Sequence, residues 1–410
     1  MENKIPVLDR RPVVLGVTGG IAAYKAADLA SRLVQAGAAL EVVMTPAAAE
    51  FVRPLTFQAL THRPVAIEMF SLLQDREIGH VALGQRAALM IVAPATANTL
   101  ARLACGLADN LLVTTALACR GPLLVAPAME SGMWHHPATR ANLETLTRRG
   151  AFVVGPEKGR LASGASGEGR MAEPETILDA ACWVLGRSGP LAGKKVVVTA
   201  GGTREPIDPV RFIGNPSSGK MGFALARAAR DRGAEVTLIH GPVALRPPYG
   251  VACHAVATAA QMQEAVLAAA AGADVLLMAA AVADYRPRAA AAQKIKKEAE
   301  AARLELVRTE DILACVAERR RSGEAGPAVV VGFAAETEEL LRHAREKLEK
   351  KGLDLIVAND VSAAESGFEA ETNRVVILDP RGGVESLPLL PKREVAEAIL
   401  DRILPLLAAR

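Results

Sequence analysis

His80, in "EIGHVALGQRA", stands just ahead of an apolar stretch. An imidazole there can take or give a proton near neutral pH, or it can simply cap a helix. "GVTGGIAAYKA" (16–26) puts Gly19, Gly20 and Ile21 in a turn between a strand and a helix, where free N–H groups can face an anion. Its spacing is GxxGG rather than GxGxxG, which speaks against a dinucleotide. "APATANT" (93–99) repeats the arrangement, with a strand ending at Pro94 and with Thr96, Asn98 and Thr99 crowding a helix start. Capping is the alternative use of such side chains. A third strand end, "APAMESGMWHHPAT" (126–139), carries Met129, Glu130, Met133 and Trp134. Three such ends form a pocket suited to a flat, partly apolar ligand such as a flavin. Between them and the second half lies "EKGRLASGASGEGRMAEPE" (157–175), too poor in regularly spaced apolar residues to read as strand or helix. It is expected to be a mobile flap over an active site, with Ser163 as its polar side chain.

The densest motif is "GGTREPIDPVRFIGNPSSGKMG" (201–222). Gly214, Gly219 and Lys220 match the GxxxxGK of a phosphate-binding P-loop, but Met221 replaces the Ser or Thr that would hold Mg²⁺, and no strand is expected directly before Gly214. Arg204, Arg211, Asn215, Ser217, Ser218 and Lys220 can still cradle phosphate or carboxylate groups at the start of a helix. Asp284, in "AAAVADYRP" (279–287), can serve a metal, a ribose or a turn. Lys294, Lys296 and Lys297 cluster in "QKIKKE" (293–298), and Lys347 and Lys351 stand at i, i+4 on one helix. Taken alone, each lysine group reads equally as a solvated face.

These residues need elements to hold them. "PVVLGV" (12–17), "LEVVMT" (40–45), "LMIVAP" (89–94), "LLVAPA" (123–128) and "FVVGP" (152–156) read as short buried strands with helices between them. After the polar joint "SGPLAGKK" (188–195) the pattern restarts, and "VVVTAGG" (196–202) echoes "VVLGVTGG" (13–20). The expected fold is therefore α/β, with two successive Rossmann-like doubly wound parallel-sheet domains, 1–190 and 191–410. The second is expected to close with a hairpin (373–379 and 384–390) and a terminal helix, and to be interrupted by an Ala-rich basic loop at 286–303.

Composition narrows the function classes. The chain has 410 residues, half of them apolar and only 3% aromatic, with 48 basic against 45 acidic residues. That balance is no nucleic-acid footprint. The five cysteines form no CxxC pair and no metal spacing, which fits a reducing compartment. No apolar run is long enough for a signal peptide or a membrane span. The expectation is a cytoplasmic protein without nucleic-acid or membrane partners.

At this point the first half resembles the flavin-dependent cysteine decarboxylases, through "GVTGGIAAYKA", His80, "APATANT", the Met129–Trp134 segment and the glycine flap, in that order. The resemblance implies a flavodoxin-like domain binding FMN through Gly19, Gly20, Ile21, Thr45, Pro94, Thr96 and Asn98. It implies His80 as the base, Met129 and Glu130 at the substrate, and Ser163 as the flap's proton donor. It implies that the cysteinyl thiol is oxidised to a thioaldehyde with FMN as the electron acceptor, that CO₂ then leaves, and that reduced FMN returns its electrons to the enethiol. Glu130 stands where the family carries Asn, and Ser163 where it carries Cys. An ionised Glu130 would repel a substrate carboxylate, so it is expected protonated or turned away. A serine is a far weaker acid than a thiol of pKa about 8.5, so a water or a neighbouring subunit is the alternative donor.

The second half resembles the phosphopantothenate–cysteine ligase domain, through "TREPIDPVRFIGNPSSGKMG", "AAAVADYRP", "KIKK", "GFAAET" and "VAND". The order of the two halves is that of the bifunctional bacterial enzymes of coenzyme A synthesis. The resemblance implies 4′-phosphopantothenate, L-cysteine and CTP as substrates, with Mg²⁺, through an acyl-cytidylate intermediate. Asn215, Arg211 and Lys294 are implied in catalysis, and Ala280, Asp284, Lys294, Phe333, Lys347 and Lys351 in nucleotide binding. It further implies a homo-oligomer, a trimer-based dodecamer with dimers of the ligase domain. Two rival readings stand beside it. One is a ligase whose first domain is a non-catalytic flavin-binding oligomerisation scaffold. The other is a nucleotide-dependent dehydrogenase, against which the missing GxGxxG argues.

Overall fold

Val13, Val14, Leu15 and Val17 are all buried, so the first strand is covered on both faces, as in a parallel sheet between two layers of helices. The computed structural model describes residues 4–69, 79–296, 303–336, 340–360 and 370–409. It divides into two units, Met1–Gly186 and Arg187–Arg410.

The first unit runs β1 (Pro12–Val17), α1 (Ala23–Gln35), β2 (Ala39–Met44), α2 (Pro46–Ala49), α3 (Pro54–Thr61), β3 (Val65–Ala66), α4 (Gly79–Arg86) and β4 (Leu89–Ala95). It continues with α5 (Ala97–Cys105), α6 (Leu111–Ala118), β5 (Leu123–Pro127), α7 (Ser131–His135), α8 (Pro137–Arg148), β6 (Phe152–Val153), β7 (Glu157–Arg160), β8 (Ser166–Arg170) and α9 (Pro174–Gly186). Helix α1 forms because Ala26, Leu29, Ala30 and Leu33 recur at helical spacing and bury one stripe. Gly37, at φ +96°, lets the chain leave it. The parallel sheet has the order β3-β2-β1-β4-β5-β6, that of doubly wound nucleotide-binding folds. Without the two-residue edge strand β3, it is the flavodoxin-like order. The chain reverses direction across the sheet at β1/β4, which opens a crevice at their carboxyl ends.

The second unit runs β9 (Lys195–Ala200), β10 (Arg204–Pro206), β11 (Phe212–Gly214), α10 (Lys220–Asp231), β12 (Glu235–His240), β13 (Ala252–Ala255), α11 (Ala259–Ala270), β14 (Val275–Met278), β15 (Tyr285–Pro287) and β16 (Leu306–Arg308). Then come α12 (Ile312–Arg321), β17 (Val329–Glu336), α13 (Leu340–Lys350), β18 (Leu355–Asp360), β19 (Thr372–Asn373), β20 (Val375–Leu378), β21 (Val384–Ser386), β22 (Leu390–Pro391) and α14 (Lys392–Ala408). Its sheet order is β13-β12-β9-β14-β17-β18-β20-β21, and the last two strands are antiparallel. One face packs against α10 and α14 through Phe223, Leu225, Ile399 and Ile403. The other packs against α11, α12 and α13 through Met262, Val266, Val316, Ala344 and Leu348. Fully burying each large aliphatic side chain contributes roughly 1.5–3 kcal/mol. Helices α10 and α14 are also fixed by ion pairs: Asp231 accepts from Arg230 at 2.5 Å and Arg393 at 2.6 Å, and Glu397 pairs with Arg232 at 2.9 Å.

Two expectations change. The 157–175 stretch is a hairpin, β7–β8, rather than a structureless loop. Its ladder needs only backbone groups, so apolar spacing was no guide to it. A strand, β11, does run into Gly214, but it belongs to the short antiparallel pair β10–β11 outside the main sheet, so it builds no P-loop. Among the described residues no helix is long and apolar enough to cross a membrane.

Candidate functional site

Each unit gathers its polar residues at the carboxyl edge of its own sheet. In the first, Gly19 follows β1 where an added Cβ would meet that of Ala47 at 2.5 Å, and a Cβ on Gly20 would lie 3.6 Å from Thr96. The turn therefore runs close under the residues after β2 and β4. Thr18 ties it down: its buried hydroxyl donates to Pro94 O at 2.6 Å and accepts from Thr96 N–H at 3.3 Å. Thr45 caps α2 by accepting from Ala48 N–H, and Thr96 caps α5 by accepting from Thr99 N–H. Asn98 is exposed one position further into α5, where its Oδ1 accepts from Arg102.

The N–H groups of Gly19, Gly20 and Ile21 donate to no acceptor among the described residues. Beside them Ile21 and Tyr24 are each 62% exposed. Free donors next to an exposed apolar surface suit a phosphate-bearing planar cofactor, so these residues fit a flavin nucleotide. Lys25 of the same motif points the other way, into the interior. It is 7% exposed and held by Glu173 at 3.1 Å and Met171 O at 3.2 Å.

His80 is half-buried at the second position of α4. Met129 is also half-buried, and its N–H donates to Gly169 O at 2.9 Å. That bond docks β8 on the segment after β5. Gly169, at φ +145°, is required there because a Cβ would sit 2.2 Å from Met129 O. Trp134 Nε1 adds a bond to Glu168 at 3.3 Å. Glu130 caps α7, its carboxylate accepting from Gly132 N–H at 2.5 Å, so it is turned onto its own helix. Ser163 is exposed at the hairpin tip, and its hydroxyl accepts from Ala165 N–H at 3.4 Å.

In the second unit a cleft of about 830 Å³ opens at the ends of β14, β17 and β18. Asn215, Ala280, Asp284, Phe333, Lys347 and Lys351 all line it. Two buried threonines shape its floor. Thr199 accepts from Ala280 N–H at 3.0 Å, and Thr203 accepts from Ala283 N–H at 2.9 Å. Asn215 Nδ2 donates to Val282 O at 3.0 Å, which fixes its amide at the rim. Gly202 is packed beneath it, and a Cβ there would lie 2.4 Å from Asn215 O. Lys351 pairs with Asp311 at 3.2 Å. Lys347 and Lys351 come from the helix layer of α13, whereas Lys220 and Lys392 start α10 and α14 on the opposite face and also line the cleft. Lys392 is 6% exposed, and burial, followed by the nearby Lys220 charge, pulls it down to about 8 against the opposing pull of Glu371.

Arg211 and Lys294 do not line this cleft. Arg211 is exposed, with its guanidinium on Asp208 at 2.6 Å and 2.9 Å, and that contact holds the Asp208 carboxyl well below the usual carboxylate range. Lys294 is exposed in the segment after β15. Lys297 lies outside the described residues. Among the described residues no three His, Cys, Asp or Glu side chains gather as a metal site. Sequence reasoning missed Thr18, Thr199, Thr203, Asp208 and Lys392. The D-P-V-R turn signature marked Asp208; nothing in the sequence marked Lys392.

Residues 6–186 match a family model described as Flavoprotein, and residues 191–406 match one described as DNA/pantothenate metabolism flavoprotein C-terminal domain. The chain is 47% identical over 400 residues to the coenzyme A biosynthesis bifunctional protein CoaBC of Bacillus subtilis, covering 97% of each. It is 45% identical over 395 residues to that of Vibrio cholerae, covering 96% of this chain and 98% of the relative. It is 48% identical over 409 residues to that of Mycobacterium bovis, covering 97% of each.

Proposed function

The chain belongs to the family of bifunctional coenzyme A biosynthesis proteins CoaBC, and from that premise we propose how its two edges divide the work. It is a bifunctional enzyme, a phosphopantothenate–cysteine ligase in the second unit and a phosphopantothenoylcysteine decarboxylase in the first. The observation that carries the reading is the convergence of Asn215, Asp284, Phe333, Lys347 and Lys351 on one cleft. Phe333 and the backbone at Ala280 bound the nucleoside of CTP, and Asp284 orients it. Lys347 and Lys351 hold the phosphates, and their charge meets the negative charge that grows on departing pyrophosphate. Mg²⁺ would arrive with the CTP phosphates, because it is bound mainly through substrate phosphates and waters. Asn215 offers a fixed amide to the acyl group while the 4′-phosphopantothenate carboxylate attacks the α-phosphate. The cysteine amine then displaces CMP. Arg211 and Lys294 act from the two hairpins beside the cleft.

The first unit binds FMN at Gly19–Ile21, Thr45, Pro94, Thr96 and Asn98. Bound FMN supplies the reversible removal of two electrons from the cysteinyl thiol, which makes loss of CO₂ easy. His80 takes the thiol proton, and Met129 lies against the substrate. Glu130, used as a cap, stays clear of the substrate carboxylate. Ser163 at the hairpin tip returns a proton to the enethiol. The protein works as a cytoplasmic homo-oligomer, trimer-based with ligase dimers. Support comes from large apolar side chains left in the open on the first unit, among them Leu55 at 71%, Leu117 at 56% and Leu107 at 53% exposed.

The test is direct. The purified protein is given 4′-phosphopantothenate, cysteine, CTP and Mg²⁺, and products are followed by mass. 4′-Phosphopantetheine is expected. Arrest at phosphopantothenoylcysteine would leave a ligase alone, and an accumulated enethiol would point at Ser163.

A further inference from the structure

Two short hairpins rise from the edge of the second sheet, and their feet line the cleft. Asn215 follows β11, Tyr285 opens β15 and Arg308 closes β16. The turn of the first and the segment after β15 in the second are joined by one carboxylate. Asp208, in the turn between β10 and β11, is 3% exposed. Its Oδ1 accepts the N–H groups of Val210 at 2.9 Å and Arg211 at 2.8 Å. Its Oδ2 accepts Arg211 Nε at 2.9 Å and Nη2 at 2.6 Å, and also the Ile295 N–H at 3.2 Å from the other hairpin. Two further bonds close the same gap: Arg211 Nη2 donates to Ile295 O at 3.0 Å, and Ala291 N–H donates to Ile207 O at 2.9 Å.

An ordinary Asp-Pro turn accounts for the Oδ1 bonds alone. It gives no reason for Oδ2 to reach a segment 87 residues away. Ile295 stands directly between Lys294 and Lys296, and among the described residues neither lysine has an ion pair of its own. The placement of Lys294 thus depends on its neighbour's backbone.

We propose that Asp208 is a positioning residue for the ligation, a latch that ties the turn of β10–β11 to the segment after β15 and so fixes Lys294 relative to Asn215. The proposal rests on the ligase reading of the second unit. A latch of this kind orders the lysine segment before the reaction begins, so its loss falls on kcat rather than on nucleotide affinity.

Asp208→Asn separates the two uses of the side chain. Its amide oxygen keeps the turn, while its NH₂ replaces the acceptor that Arg211 and Ile295 need. Three quantities are measured: ligation kinetics, decarboxylation of supplied phosphopantothenoylcysteine, and the rate of tryptic cleavage after Lys294 and Lys296. The expected result is a kcat for ligation about tenfold lower or more, with KM for CTP within about twofold. Decarboxylation stays unchanged and cleavage is faster. Ile295→Pro removes the N–H donor, and fixes φ, at a residue 44% exposed; it is expected to give the same kinetic pattern more weakly, with cleavage read after Lys296 alone because trypsin does not cut a Lys–Pro bond.

Wild-type ligation kcat in Asp208→Asn overturns the proposal, and so does lost ligation with unchanged cleavage. If Asp208→Asn also loses decarboxylation through misfolding, Ile295→Pro decides, and wild-type ligation with unchanged cleavage after Lys296 in that variant overturns the latch. No ligation by the wild-type protein would sink the ligase reading instead, while faster cleavage in Asp208→Asn would still uphold the latch.

Discussion

The two units share one sheet plan and differ in what grows from its edge. In each, the six parallel strands follow the order third, second, first, fourth, fifth, sixth, and a glycine turn follows the first strand. In the first unit that turn leads straight into α1, leaving N–H groups free for an anion. In the second, β10–β11 is inserted before α10, and β15–β16 is inserted after β14. The hairpin of the first unit, β7–β8, is instead docked on Met129, after β5, through Gly169. The sheet decides where a ligand sits, because only the carboxyl ends at the reversal point lie open. The insertions decide which chemistry meets it.

Separating the chemistries is the most severe way to break this comparison. His80→Asn is expected to lower CO₂ release by at least about a hundredfold and to leave CMP release intact. Asn215→Asp is expected to do the converse, because a carboxylate cannot donate to Val282 O, 3.0 Å from the present amide. Both rates are read in one assay with supplied intermediates, and a variant that loses both activities removes its residue's assignment.

A matched pair of glycine substitutions sharpens it. Gly169→Ala forces a Cβ within 2.2 Å of Met129 O at a φ that side chains avoid, and Gly202→Ala forces one within 2.4 Å of Asn215 O. Each is expected to cost about 1–3 kcal/mol locally and to slow only its own unit's reaction by about tenfold or more. Equal loss of both activities would mean that the two sites are not separate.

Ser163→Ala is expected to have a smaller effect, slowing return of the proton to the enethiol by up to about tenfold. An unchanged rate would make the serine a bystander and move the donor to water or a neighbouring subunit.

The smallest effect concerns Lys392. Its folded value of about 8 lies below the ordinary 10.5, so both folded and unfolded states carry the charge below pH 8 and burial penalises the folded one. Between pH 8 and pH 10.5 the folded state releases its proton first, so stability rises with pH across that window. The melting temperature of the wild type is expected to gain on that of Lys392→Met from pH 8 to pH 10. A constant difference would show that Lys392 is not depressed.

Much of this was legible beforehand for local reasons. Runs such as "PVVLGV" bury both faces, so a parallel sheet follows from composition. Gly-Gly turns after β1 and β9 follow from the backbone's need to pass close to its neighbours. The β7–β8 hairpin was not legible, because glycines and charged residues can form a ladder without any apolar period. Glu130 could not be placed either: a carboxylate near a substrate and a carboxylate capping α7 have the same sequence signature.

By itself the sequence determined the two α/β units, the reversal points where ligands can sit and the residues offered there, because periodicity and turn chemistry act over short stretches. Only the tertiary structure decided which of those residues meet. It brought Lys347 and Lys351 to the cleft from one helix layer and Lys392 from the other, and it joined Asp208 to Ile295 across 87 residues. Such meetings depend on how layers pack and loops close, and no local spacing encodes them.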